Sequence, residues 1–163
     1  MNSPNAFTCE IVEARPTPTV SLHARTSLEG LPTLIGTALA RVAQYLADHG
    51  ESPDGPPFVA YRNQDMKDLD VEIGFPVAHA VSGSGPIDSG VIPGGRHAVC
   101  VYVGPYSGIG PAYEALGTWI GRHGYRPGGS AYEFYLNDPA TTPSEELQTR
   151  IMVPVISAVY GGA

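Results

Sequence analysis

The chain repeats itself. The segment Phe58-Val-Ala-Tyr61-Arg-Asn-Gln64, followed by Val71-Glu-Ile-Gly-Phe-Pro-Val77, returns as Tyr132-Glu-Phe-Tyr135-Leu-Asn-Asp138 and then Thr149-Arg-Ile-Met-Val-Pro-Val155. Each repeat is preceded by an amphipathic stretch ending in His-Gly, Ala38 to Gly50 in the first and Ala112 to Gly124 in the second. The spacing is 74 positions up to Tyr61 and 78 from Val71 to Val77, the extra residues falling in the connecting loop. Repeats of this length are supersecondary units that share a core. Two related units facing each other leave a cleft, the natural place for a ligand.

A length of 163 residues and 42% hydrophobic content suit a single domain over 1–163. The first repeat is read over about residues 8–79, a linker over 80–90 and the second repeat over about 91–157. Sixteen Asp and Glu against nine Lys and Arg give a net charge of −7. That sign repels phosphate backbones and attracts organic cations, so direct nucleic-acid binding is not expected. Lys67 is the one lysine, and no basic stripe can be drawn. Cys9 and Cys100 are singletons without metal-type spacing, and the start Met1-Asn-Ser-Pro-Asn has no signal-peptide pattern, so a cytoplasmic location is expected. No apolar run reaches the ~18 residues of a membrane span. No cofactor is expected.

Periodicity gives the order β-α-β-β, twice. Cys9 to Ala14 and Thr19 to Thr26 read as a strand interrupted near Pro16 and Pro18. Leu31 to His49 reads as a helix, with Leu34, Ala38, Val42 and Leu46 at helical spacing and Gly50 placed to cap it. Strands Phe58 to Asn63 and Val71 to Val77 follow. Gly, Ser and Pro dominate Ala80 to Gly90, whose Ser84 lacks a nucleophile-elbow context. The second repeat reads as strand His97 to Val103, helix Pro111 to His123, and strands Ala131 to Asp138 and Gln148 to Ile156.

The run Val99 to Val103 with Gly104-Pro105-Tyr106, then Ala112-Tyr113, Leu116, Trp119-Ile120, His123-Gly124, and Tyr132-Glu133-x-Tyr135-Leu-Asn-Asp-Pro139 with Thr149 and Pro154, resembles the GyrI-like effector-binding domains. These include the ligand-sensing domains of AraC-type and MerR-type multidrug regulators and stand-alone gyrase-inhibitory proteins. The resemblance covers about residues 8–157. It implies a duplicated α+β fold with pseudo-twofold symmetry, antiparallel sheets with helices on one side, and a groove between the halves for bulky, often cationic aromatic molecules. It also implies that the glutamate of the Tyr-Glu-x-Tyr strand, here Glu133, is the main electrostatic contact. No segment is left for a helix-turn-helix, so a DNA-binding regulator, if involved, is expected as a separate partner.

Strand alternation puts Glu133 and Tyr135 on one face, Tyr132 and Phe134 on the other. Their first-repeat counterparts are Val59 and Tyr61. Positions apolar in both repeats, Ile73 with Ile151 and Phe75 with Val153, are assigned to the helix side. The variable ones are assigned to the groove: Glu133, Tyr135, Tyr61, Val59, Met152 and Gly74, with Gly74 leaving room for a ligand ring. Tyr102 is expected to face the groove, and Tyr106 either to close its mouth or to fill a turn. Tyr113 and Trp119 are read as packing against the sheet. A buried carboxylate needs compensation, which a lipophilic cation, Arg150 on the next strand or a tyrosine hydroxyl can each supply. His97 with Cys100 lacks a third ligand, so no metal is expected.

Three functions fit. One is a stand-alone module that senses or sequesters amphipathic aromatic cations such as antibiotics or dyes. Another is a hydrolase that opens cyclopropane-bearing alkylating compounds, Glu133 acting as general base. The third, an interaction module that inhibits gyrase, rests on the family resemblance alone.

Overall fold

The computed structural model describes residues 7–158, so the reading of Met1-Asn-Ser-Pro-Asn lies outside the described residues. In chain order the elements are β1 (Cys9–Ala14), β2 (Thr17–Thr26), α1 (Leu31–Asp48), β3 (Phe58–Tyr61), β4 (Leu69–Pro76), β5 (Ile87–Ile92), β6 (Gly95–Val103), α2 (Gly110–Arg122), β7 (Tyr125–Pro127), β8 (Ala131–Tyr135) and β9 (Gln148–Ser157). They form two compact units, one of residues 15–94 and one that joins residues 7–14 to residues 95–158. Among the described residues no helix is long and apolar enough to cross a membrane.

The unit of residues 15–94 is an antiparallel sheet in the order β5-β2-β4-β3, with α1 packed on β2 and β4. The other unit repeats the plan as β1-β6-β9-β8, with α2 packed on β6 and the short β7 also paired to β9. The duplicated α+β architecture read from the sequence is present. Its edges differ from expectation. β1 and β2 are not one interrupted strand, because β1 pairs with β6 and β2 pairs with β4 and β5. Pro16 falls between β1 and β2, where the chain passes from one unit to the other, and Pro18 lies within β2 opposite Val91 of β5. By the same logic the expected linker contains the start of β5, which pairs with β2. Each unit therefore takes an edge strand from the segment just before the other unit's first long strand.

The helices end alike because the sequence ends them alike. Pro32 and Pro111 sit in the first turns, where no backbone donor is lost. At the other end His49 Nδ1 donates to the Tyr45 carbonyl and His123 Nδ1 to the Trp119 carbonyl, both at 2.8 Å. Gly50 and Gly124 then turn the chain at φ +70° and +80°, which only glycine adopts without strain. The inner face of α2 buries Ala112, Leu116 and Ile120 against Ala98, Cys100, Tyr102, Ile151 and Val153. Cutting Leu116 back to alanine there costs about 2–5 kcal/mol.

Candidate functional site

The register of β8 against β9 fixes which way Glu133 points. Directly opposed residues of an antiparallel pair share a face. Glu133 stands opposite Ile151 and Tyr135 opposite Thr149, while Tyr132 opposes Met152 and Phe134 opposes Arg150. Ile151 belongs to the core beneath α2, so Glu133 and Tyr135 face the helix. Ile151 and Val153 lie on the helix side and Met152 on the other face, as expected, but the expectation that Glu133 and Tyr135 point away from the helix is overturned, because variability between repeats says nothing of register. The same register puts Arg150 on the face away from Glu133.

Glu133 is 7% exposed, and hydroxyls satisfy it. Tyr113, on α2, donates to its Oε2 at 2.5 Å, and Tyr135 donates to its Oε1 at 2.9 Å. The ring of Tyr106 meets that of Tyr135 edge-on, with centroids 5.5 Å apart and planes at 62°. Two tyrosines, one from a helix and one from a strand, thus hold one carboxylate, and a third from a turn packs on the ring of the strand tyrosine. The Tyr106 hydroxyl has its pKa raised, first by burial and then by the negative charges of Asp138 and Glu133.

A pinned turn holds Tyr106 in place. Tyr102 donates its hydroxyl to the Pro105 carbonyl at 2.7 Å. Glycine is needed around that ring: a Cβ on Gly108 would stand 2.5 Å from the Tyr102 hydroxyl, and one on Gly104, at φ +145°, 2.8 Å from it. The Gly104-Pro105-Tyr106 signature read from the sequence is thus a loop closed over a buried tyrosine. The chain passes from it through a 3-10 turn, Tyr106–Gly108, into α2.

Of the expected site residues, Glu133, Tyr135 and Tyr106 come together. Tyr102 does not join them as a surface: it lies in the core under α2, 7% exposed, and acts through Pro105. Met152 is on the opposite face of the sheet, buried opposite Tyr132. Val59, Tyr61 and Gly74 belong to the other unit. Val59 is fully buried opposite Ile73, a core position. Tyr61 is half-buried on the same face, opposite Val71. Gly74 leaves no room for a ligand, because a Cβ there would stand 2.0 Å from the Val20 carbonyl oxygen and 2.6 Å from the Ser21 Cα. His97 and Cys100 point to opposite faces of β6, three residues apart, and Cys100 pairs with Cys9 across β1.

Sequence reasoning missed Tyr113, read only as a packing residue. It does pack against the core, but its hydroxyl is what reaches Glu133. A signal was available in the repeat. At the 74-residue spacing Tyr113 corresponds to Leu39, just as Glu133 corresponds to Val59. The hydroxyl and the carboxylate enter the second repeat together. Two cavities in this unit, of about 470 Å³ beside Trp119 and about 610 Å³ beside Tyr102 and Glu145, do not include Glu133.

The profile of the GyrI-like small molecule binding domain matches residues 7–156. The chain belongs to this family. Among solved structures, the GyrI-like domain is similar to EcmrR as seen in its complex with DNA, at 23% identity and a TM-score of 0.81 over 94% of this chain. It spans 58% of the length of that EcmrR chain. A hydrolase from Listeria innocua aligns at 14% identity and a TM-score of 0.67, covering 91% of both chains. SAV2435 bound to tetraphenylphosphonium aligns at 15% identity and a TM-score of 0.60, over 91% of this chain and 94% of that one. At these identities the likeness is one of fold. No match to a curated protein sequence reaches significance.

Proposed function

We propose that this GyrI-like domain binds amphipathic aromatic cations, antibiotics and dyes among them, as a sensing or sequestering module. The observation that carries the reading is the buried Glu133 carboxylate held by two tyrosine hydroxyls, with a third tyrosine ring at its edge. A buried negative charge offers a lipophilic cation the partner that water offers poorly there, and the rings add cation–π attraction and flat contact area. Tyr106, 38% exposed, is the most open of the three rings: its backbone is held by the turn, and a ligand reaches the carboxylate by displacing the side chain from Tyr135. That a domain of the same fold is bound to tetraphenylphosphonium supports this ligand class. A cytoplasmic location is part of the reading. An acidic domain of this kind does not itself grip DNA, so regulation, where it occurs, needs a separate DNA-binding element.

The hydrolase reading has one observation in its favour, the fold shared with the Listeria innocua hydrolase. Glu133 is its general base. Binding needs only a fixed charge, which the carboxylate carries and the two hydroxyls hold in place, whereas hydrolysis also needs a water poised within about 3 Å of both base and reacting carbon.

Calorimetric titration with methyltriphenylphosphonium and with neutral triphenylphosphine oxide, two molecules of nearly one shape, tests the binding reading. The cation should bind more tightly; equal affinity removes the basis for it. In parallel, a cyclopropane-bearing alkylating compound in excess over protein should show no ring opening above background by mass spectrometry. Multiple turnovers that vanish in Glu133→Gln would establish the hydrolase instead.

A further inference from the structure

Among the described residues two buried side-chain polar atoms have no hydrogen-bond partner, Thr149 Oγ1 and His97 Nε2. The threonine stands at the Glu133 site. It is fully buried, and its partners across β9 are Tyr102 on β6 and Tyr135 on β8, so the three form one rung of the sheet face that carries Glu133. The adjacent rung on that face is Cys100, Ile151 and Glu133. Both flanking hydroxyls are committed elsewhere, Tyr102 to the Pro105 carbonyl and Tyr135 to Glu133.

Burying an unpaired hydroxyl costs about 1–3 kcal/mol, and valine fills the same volume without that cost. The first repeat has that valine. Its matching rung is Ala24, Val71 and Tyr61, with Val71 fully buried. Three of the positions that change from apolar to polar between the repeats belong to this site: Leu39 to Tyr113, Val59 to Glu133 and Val71 to Thr149. Two of the three newcomers bond each other, and the third lies one rung away on the same face. Polar groups gathered at one site, with one left unsatisfied, call for a partner from outside the chain.

We propose that Thr149 is a specificity-determining residue of the Glu133 site, its hydroxyl hydrogen-bonding a heteroatom of the bound molecule. The site then selects aromatic cations that carry an amine, hydroxyl or ether over cations with an all-hydrocarbon exterior. A threonine hydroxyl serves as donor or acceptor, so it accommodates any of these groups. This inference rests on the reading of Glu133 as a cation site.

The test uses ethidium, a phenanthridinium with two amino groups, and the same phenanthridinium lacking both. Wild type should bind ethidium more tightly. Thr149→Val should weaken ethidium by about threefold to tenfold, one net hydrogen bond, and leave the des-amino cation unchanged. Thr149→Ser, which keeps the hydroxyl, should keep the preference, and Glu133→Gln should weaken both cations. Thr149→Val should also melt at or above the wild-type temperature, since it removes an unsatisfied group. If both cations bind in a Glu133-dependent way and Thr149→Val shifts neither, or shifts both alike, the Thr149 assignment is wrong while the cation site stands. A marked loss of stability in Thr149→Val shows the hydroxyl to be satisfied internally and likewise ends the assignment. Failure of wild type to bind either cation overturns the cation site and this inference with it.

Discussion

Replacing Tyr113 with phenylalanine removes one oxygen atom and asks how the buried carboxylate is held. The Tyr113 hydroxyl links α2 to Oε2 of Glu133 at 2.5 Å, and with Glu133 only 7% exposed, bulk water does not readily take its place. A hydrogen bond to a charged group is worth about 1.5–3 kcal/mol, and a buried acceptor that loses its donor keeps the whole desolvation cost. For a chain of this size each kcal/mol moves the melting temperature by about 2–4 °C, so Tyr113→Phe should melt roughly 3–12 °C below wild type. Tyr135→Phe should cost less, because its donor and acceptor are two residues apart on one strand. Tyr106→Phe is the control: that side chain meets the site through its ring, and the change should stay within about 0.5 kcal/mol. Urea melts followed by the fluorescence of Trp119, the single tryptophan, report directly on α2. The double variant Tyr113→Leu/Glu133→Val, which writes the first repeat's residues into the second, should be more stable than the sum of its single changes implies. If Tyr113→Phe is no more costly than Tyr106→Phe, the hydroxyl does not hold the carboxylate and the site as described is wrong.

Gly74→Ala should destabilise by about 3 kcal/mol or more in a denaturant melt, because its Cβ meets β2 backbone at 2.0 Å; a neutral change means the strands are not that close. Gly121→Ala, on α2 with nothing within 4 Å of the new Cβ, should stabilise by about 1 kcal/mol in the same assay. Burial lowers the pKa of His97, so on acidification the unfolded chain takes up a proton before the folded one does. Stability should therefore fall as pH drops from 7 through the ordinary imidazole range, and His97→Leu should flatten that part of the stability profile, whereas an unchanged slope assigns it to other groups.

The repeat was legible because it is written in side chains at fixed spacing, and with it came both helices, their His-Gly ends and the paired long strands. The exchange of edge strands was not legible. β1 and β5 are short and their sequences look alike to either sheet; only pairing partners distinguish them. The direction in which Glu133 points was missed for a related reason. Alternation in β8 separates Glu133 from Phe134, but which of them faces α2 depends on the register with β9, a property of two strands that neither encodes alone. Gly74 shows a third limit. A glycine in a strand reads equally as space for a ligand or as close approach of backbone, and here the second holds. What the sequence did offer, unread, was the matched change of Leu39 and Val59 to Tyr113 and Glu133.

The central claim is that Glu133 acts through its charge. The measurement that tests it most directly is the affinity of wild type and Glu133→Gln for methyltriphenylphosphonium and for triphenylphosphine oxide, taken side by side. Glutamine keeps the shape and still accepts a tyrosine hydroxyl, so the substitution isolates the charge. The cation should lose about 1 to 3 kcal/mol of binding while the neutral oxide is nearly unaffected. Equal losses for the two ligands, or none for either, would contradict the account.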